Sequence, residues 1–289
     1  MLCANWNKGI GIWSTALHNQ IKPKRHIMME PHLQYLHHLE RLQGPENGLK
    51  VVSSDPFRWR SFLELEQQNF FEPVSHPRED GINPHILFTA NLSSMQGEQL
   101  CTQYLNCITN QSWLQRYGRV RCLLWVKPTT AMKLLFKVGD TYRSRVSVQT
   151  EACTDVKLLL RTEKDEVLES HNSSFTASSK NDYYPPKGEP PVLIQLDPFE
   201  RQPENLDSFE YVIKMLFVLR NKPLREAINL LGAGAYDDLI PKLDPSMLDT
   251  TPRDLTLQQL KDVAAAFEAW PFKPDLLDDF YEEEIGNGV

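Results

Sequence analysis

Short apolar runs alternate with amphipathic stretches through most of the chain, and their punctuation predicts strands alternating with helices. Ile12 to Gln20 has helical periodicity and leads to the apolar run Ile27-Met28-Met29, which stops at Glu30. Pro31 opens a helix to about Leu42, because proline is tolerated in a first turn. A strand over Leu49 to Ser53 is closed by Asp55-Pro56, and Pro73 to Pro84 reads as a loop. Ile86 to Ala90 reads as a buried strand ending at Asn91. A helix over Glu98 to Thr109, a strand over Val120 to Val126 and a helix opened by Pro128 come next. Val146 to Val148 and Val156 to Leu160 read as further strands, Glu163 to Lys187 as a polar surface excursion, and Val192 to Leu196 as the last strand. This alternation predicts an α/β, doubly wound, Rossmann-like and mostly parallel sheet.

The pattern changes near Gln202-Pro203. From Glu204 onward only helical periodicity remains, over Phe209 to Arg220, Leu224 to Leu231 and Thr256 to Phe267. Thr256, with Gln259 three residues on, has the form of a capping box. The expected division is therefore an α/β domain over 1–203 and a small all-helical domain over 204–289 with an acidic tail.

With 289 residues and 41% hydrophobic content, the chain is long enough for these two units. Mean hydropathy is −0.43, and the most apolar stretch, Val212 to Leu219, is interrupted by Lys214, so no membrane span is expected. The cysteines Cys3, Cys101, Cys107, Cys122 and Cys153 form no C-x-x-C pair, which predicts reduced thiols and no zinc site. His32, His37 and His38 have no metal-ligand spacing and read as a solvated helix face. No presequence is visible before Gly9, and the closeness of that glycine to Met1 leads us to expect a chain shortened at its N-terminus.

Net charge is −7, which argues against a uniformly basic nucleic-acid binder, yet the distribution is uneven. Arg116, Arg119, Arg121, Lys127, Lys133, Lys137, Arg143 and Arg145 face the single acid Asp140 between Trp113 and Arg145, while acids crowd the tail from Asp275 to Glu284. A local basic patch can hold phosphates inside an acidic protein, because fields are screened over about 8 Å at physiological salt. Trp113, Tyr117, Trp125 and Tyr142 are interleaved with these cations, a composition suited to phosphate contact with stacking on unpaired bases. Lys127, Lys133, Arg143 and Arg145 are the candidate nucleic-acid contacts; Trp125, on an apolar strand, reads as core.

Gly9-Ile10-Gly11 before a helix is a fragment of a nucleotide-binding glycine turn. Glu30 stands nineteen positions after Gly11, close to the spacing of about 20 at which a carboxylate holds ribose hydroxyls. Asp55 ends the third strand and Asn91 the fourth. Ligands of open α/β sheets bind at the carboxyl ends of the strands, so Gly9, Gly11, Glu30, Asp55 and Asn91 form the candidate cofactor site.

These ordered landmarks resemble the S-adenosylmethionine-dependent rRNA adenine N6-dimethyltransferase family. Tyr142 to Val148 is similar to that family's Y-G-R-L-S-V block, Tyr184-Pro185-Pro186-Lys187 to its proline-rich segment, and Thr251 to Thr256 to its R-P-E-x-L-S run. Within the family, Trp113 to Val120, Leu124 to Ala131, Glu151 to Asp155 and Trp270 to Asp275 resemble the fungal mitochondrial transcription factors. That resemblance implies a mitochondrial matrix protein, acting as a monomer, which helps a mitochondrial RNA polymerase recognise and melt promoter DNA. The methylating enzymes carry N-L-P-Y in the fourth motif, where the aromatic ring stacks on a flipped-out base. Here Ser93 and Ser94 replace the proline and the aromatic residue, leaving Asn91 as a vestige. Asn5, Asn7 and Lys8 replace an acid, a glycine and a proline. The family's S-adenosyl-L-methionine site is therefore expected to be eroded. The competing readings are an active rRNA adenine N(6)-dimethyltransferase, with rRNA as its partner, and a truncated, non-functional member.

Overall fold

Leu2–Trp6 forms strand β1, a strand ahead of the glycine turn that the sequence pattern did not announce. The computed structural model describes residues 2–6, 11–44, 48–55, 59–163, 168, 171–177, 179–183 and 188–275. Gly9, Asn7, Lys8, the Tyr184–Lys187 segment and the acidic tail beyond Asp275 lie outside the described residues, as does the side chain of Asn5.

The other strands are β2 (Arg25–Met29), β3 (Leu49–Val52), β4 (Ile82–Asn91), β5 (Arg119–Val126), β6 (Thr154–Thr162), β7 (Phe175–Ala177) and β8 (Val192–Pro198). They form one sheet in the order β3-β2-β1-β4-β5-β8-β6-β7. Pairing is parallel from β3 through β5, while β8 runs antiparallel to both β5 and β6. The order reverses between β1 and β4, which makes their carboxyl ends the switch point where open α/β sheets bind ligands. Helices α1 (Ile12–Ile21), α2 (Leu33–Glu40), α3 (Trp59–Gln67), α4 (Gly97–Thr109) and α5 (Pro128–Leu135) follow the first five strands in turn.

The inner strands read as continuous apolar runs because both faces are covered: Ile27, Met28, Met29, Ile86, Phe88 and Ala90 are all buried. β4 begins at Ile82, inside the loop expected over Pro73 to Pro84, with a register shift between Ile82 and Leu87. Pro84 falls within that irregularity, where the ladder can spare a donor.

Val146 to Val148 is not a strand. Arg145–Cys153 forms helix α6. Ser144 and Ser147 start it: the Ser144 N–H donates to Ser147 Oγ at 3.0 Å, and the Val148 N–H to the Ser144 carbonyl at 3.1 Å. Side-chain oxygens that satisfy first-turn groups favour helix initiation. Val148 and Ala152, four apart and so on one face, are both buried.

The chain divides into two compact units. One comprises the described residues of Met1–Met132 and Thr154–Glu200; the other comprises those of Lys133–Cys153 and Arg201–Val289. The second holds α6, α7 (Leu206–Leu216), α8 (Leu224–Ala227), α9 (Ala235–Leu239) and α10 (Leu257–Glu268). α10 carries the predicted capping box, with Thr256 Oγ1 accepting from the Gln259 N–H and Gln259 Oε1 from the Thr256 N–H. Trp270 is buried and its indole N–H donates to Asp238 Oδ2 at 2.8 Å. No described helix is long and apolar enough to cross a membrane.

Candidate functional site

Gly11 adopts φ 78° immediately before α1, a left-handed conformation that suits glycine in a turn at a strand end. Glu30 follows β2, is fully buried, and accepts the His32 N–H on Oε1 at 2.8 Å. Asp55 follows β3, with its carbonyl accepting the Ser61 hydroxyl at 2.7 Å. Asn91 ends β4. Its Oδ1 accepts both the Ser93 N–H, at 3.1 Å, and the Ser93 hydroxyl, at 2.7 Å.

Parallel pairing of β1 to β4 brings these positions to the carboxyl ends of neighbouring strands. Glu30 and Asn91 share a second feature that the sequence does not announce. Each turns a side-chain oxygen back onto the backbone two residues later, the local closure that short polar side chains make in turns. The acceptor that would grip an adenine amino group is therefore already engaged by Ser93. Ser94 has no π face, and its hydroxyl oxygen is buried without a hydrogen-bond partner.

The loop after Asn91 is held tightly. The Leu92 N–H donates to the Trp125 carbonyl at 2.7 Å, and Leu92 is buried. A Cβ at Gly97 would lie 1.7 Å from the Leu92 carbonyl oxygen, so only glycine fits at the start of α4.

Two aromatic residues that meet Trp125, the strand partner of Asn91, escaped the sequence reading. The Trp13 indole donates to Thr89 Oγ1 at 3.0 Å and meets Trp125 edge-on at 5.3 Å; Tyr183 meets the same Trp125 ring at 6.3 Å. The available signal was β periodicity: Thr89 and Asn91, two apart, share a face. Trp125 is half-buried, and its indole N–H is buried with no hydrogen-bond partner.

Several cations of the basic segment are committed to partners within the fold. Arg116 is paired with Glu66 and Tyr117, Arg119 donates to the Pro198 carbonyl, and Arg121 grips Asp197 through two bonds of 2.6 and 2.7 Å. Arg143, a candidate nucleic-acid contact, is fully buried. Its guanidinium donates to the carbonyls of Arg253 (2.9 Å) and Leu255 (2.5 Å) and to Glu151 Oε2 (2.8 Å). A buried, triply engaged guanidinium has no face to offer a phosphate, so Arg143 is corrected to a structural residue. Lys127 and Lys133 are half-buried, Arg145 is exposed, and exposed Lys137 and Tyr142 lie on the same segment as Lys133 and Arg145. Arg145 is near Glu210, whose carboxyl is pushed up by burial and eased by the Arg145 charge.

The ribosomal RNA adenine dimethylase family model matches residues 6–264, an interval that takes in the strand-end crevice and most of the helical unit. The chain belongs to the ribosomal RNA adenine dimethylase family. Among family relatives, it is 34% identical over 278 residues to Mitochondrial transcription factor 1 of Lachancea kluyveri, covering 93% of this chain and 81% of that protein. It is 32% identical over 283 residues to Mitochondrial transcription factor 1 of Saccharomyces cerevisiae, covering 95% and 82%. A dimethyladenosine transferase from Plasmodium falciparum has the same fold, with a TM-score of 0.63 at 14% identity over 92% of this chain and 90% of that one. Membership explains the strand order and the glycine turn; the capped Asn91 and the serines after it are this chain's departures from the family's methylating motif.

Proposed function

We infer that this protein is a mitochondrial transcription factor, working in mitochondria on a dimethyladenosine-transferase fold. The observation that carries the reading is the pairing of relatives called Mitochondrial transcription factor 1, at 32–34% identity over most of the chain, with an Asn91 whose acceptor oxygen is occupied by Ser93. Its action is initiation: it joins the mitochondrial RNA polymerase at promoter DNA and helps to melt it. Lys127, Lys133 and Arg145 are the cations proposed to meet phosphates, and the exposed ring of Tyr142 is the aromatic group proposed to stack on an unpaired base.

The family's methyl donor is S-adenosylmethionine. Gly11, Glu30, Asp55 and Asn91 are the described residues proposed to meet it, and the first three suit a ribose-bearing ligand in residue type. Fit on the substrate side is poor, because Asn91 is engaged and Ser94 cannot stack. Weak residual cofactor binding without methyl transfer is the expected behaviour, and no rRNA methylation step is assigned to this chain.

Initiation by the cognate mitochondrial polymerase on duplex and pre-melted promoters tests the reading. This protein should stimulate the duplex template and have little effect on the pre-melted one. Unchanged start-site use and melting on the duplex would overturn it. Dimethylation of small-subunit rRNA at enzymatic rates would favour the alternative.

A further inference from the structure

Away from Asn91, towards the amino end of β5, a cavity of about 460 Å³ opens between α3, α4 and the turn Trp113–Tyr117. We propose that it is a docking pocket for an uncharged peptide segment of the transcription machinery that inserts one large apolar side chain. This rests on the transcription-factor reading above.

Three observations carry the proposal. The wall is pre-organised. Gln111 and Trp113 adopt φ 50° and 51°, uncommon for residues with a Cβ, while the Ser112 N–H is held by the Cys107 carbonyl at 3.0 Å. The indole of Trp113 is pinned by stacking on Tyr104 at 5.0 Å and by an edge contact with Phe88 at 4.8 Å. A fixed aromatic wall lowers the ordering cost of binding.

The lining is chemically mixed and electrically neutral. Leu63, Leu114 and Trp113 supply apolar surface, and Leu63 is 48% exposed although it belongs to the lining. Gln103, Asn106 and Asn110 line it from one face of the helix and its end, being three and four residues apart; side-chain amides offer donors and acceptors to a peptide backbone. The charged lining residues, Glu66 and Arg116, pair with each other, and Tyr117 Oη donates to Glu66 at 2.7 Å. A phosphate finds no uncommitted cation there, so a neutral peptide is favoured over nucleic acid. Volume and composition match pockets that take a single anchored group.

The sequence supplies the third observation. Trp113 to Val120, the block that builds the wall, is one of the four segments in which the chain resembles the transcription factors.

Leu63→Arg and Asn106→Glu introduce opposite charges at exposed lining positions and so leave folding intact. Affinity for the purified cognate polymerase, by sedimentation, and for a labelled single-stranded oligonucleotide, by anisotropy, should be measured for both. A neutral occupant predicts that either sign weakens polymerase binding by roughly tenfold, with oligonucleotide binding and Tm unchanged. Polymerase affinity within about twofold of wild type for both variants overturns the proposal. So does opposite-signed change in oligonucleotide binding, which would mark a nucleic-acid site. If the wild-type protein supports initiation in either of those cases, only the pocket assignment fails; if it neither binds polymerase nor supports initiation, the functional reading fails with it.

Discussion

Ser93 Oγ lies 2.7 Å from Asn91 Oδ1 and donates to it, closing the residue that would otherwise hold a target amino group. The expected outcome is no detectable dimethylation of small-subunit rRNA by the wild-type protein. Ser93→Ala removes the hydroxyl donor and should cost about 0.5–1.5 kcal/mol in denaturant unfolding. Asn91→Ala should leave initiation within about twofold of wild type, because the side chain serves the loop rather than a reaction. A large loss of initiation at unchanged stability would contradict this.

Arg143 and Arg145, two residues apart, should behave differently. Arg143→Ala leaves Glu151 and two carbonyls without their donor, and breaking a buried pair costs about 3–5 kcal/mol. Thermal unfolding should report that loss. The salt slope of DNA binding by the folded fraction should stay unchanged. Arg145→Gln and Lys133→Gln should cost much less Tm than Arg143→Ala, the Arg145 change costing something because its charge eases the buried Glu210. Each should weaken promoter binding and reduce the slope of log K against log salt by about one. The opposite pattern would restore Arg143 as a contact.

Gly97 tests the loop that follows Asn91. Any Cβ there collides with the Leu92 carbonyl, and both are main-chain-anchored, so neither can move cheaply. Gly97→Ala should destabilise the protein by about 1–3 kcal/mol, as overpacking does. An unchanged or raised Tm would show that α4 shifts freely.

Much of the fold was legible because its inner strands are unbroken apolar runs and its glycine turn, Glu30, Asp55 and Asn91 occur in strand-end order. Val146 and Val148 misled because alternation over a short stretch resembles a strand, whereas the serine pair and burial of a whole helical face decided the outcome. Charges were counted correctly but their partners were not visible: Arg121 and Asp197 are distant in sequence, and so are Arg143 and Arg253. The cap on Asn91 depends on the rotamer of Ser93, and the cavity beside Trp113 depends on a turn with two left-handed residues. Neither leaves a periodic trace.

His26 provides a pH test independent of function. It is fully buried on β2, its ring stacks on His18 at 5.3 Å, and the two Nδ1 atoms are 3.1 Å apart, so one donates to the other. Burial, with the neighbouring His18 charge second, pushes its pKa down from 6.5 to about 4. The folded protein thus binds fewer protons at this site than the unfolded chain between those values. The contribution of His26 to stability is complete above about pH 6.5, falls as pH drops through the interval, and levels off below about 4. A displacement of this size corresponds to roughly 3 kcal/mol at most. The Nε2 atom is buried without a hydrogen-bond partner, so His26→Phe removes an orphaned polar atom while keeping a ring against His18. Denaturant midpoints measured from pH 4 to pH 8 should therefore be flatter for His26→Phe than for wild type. If both proteins lose stability in parallel as the pH falls, the acid sensitivity resides elsewhere in the fold.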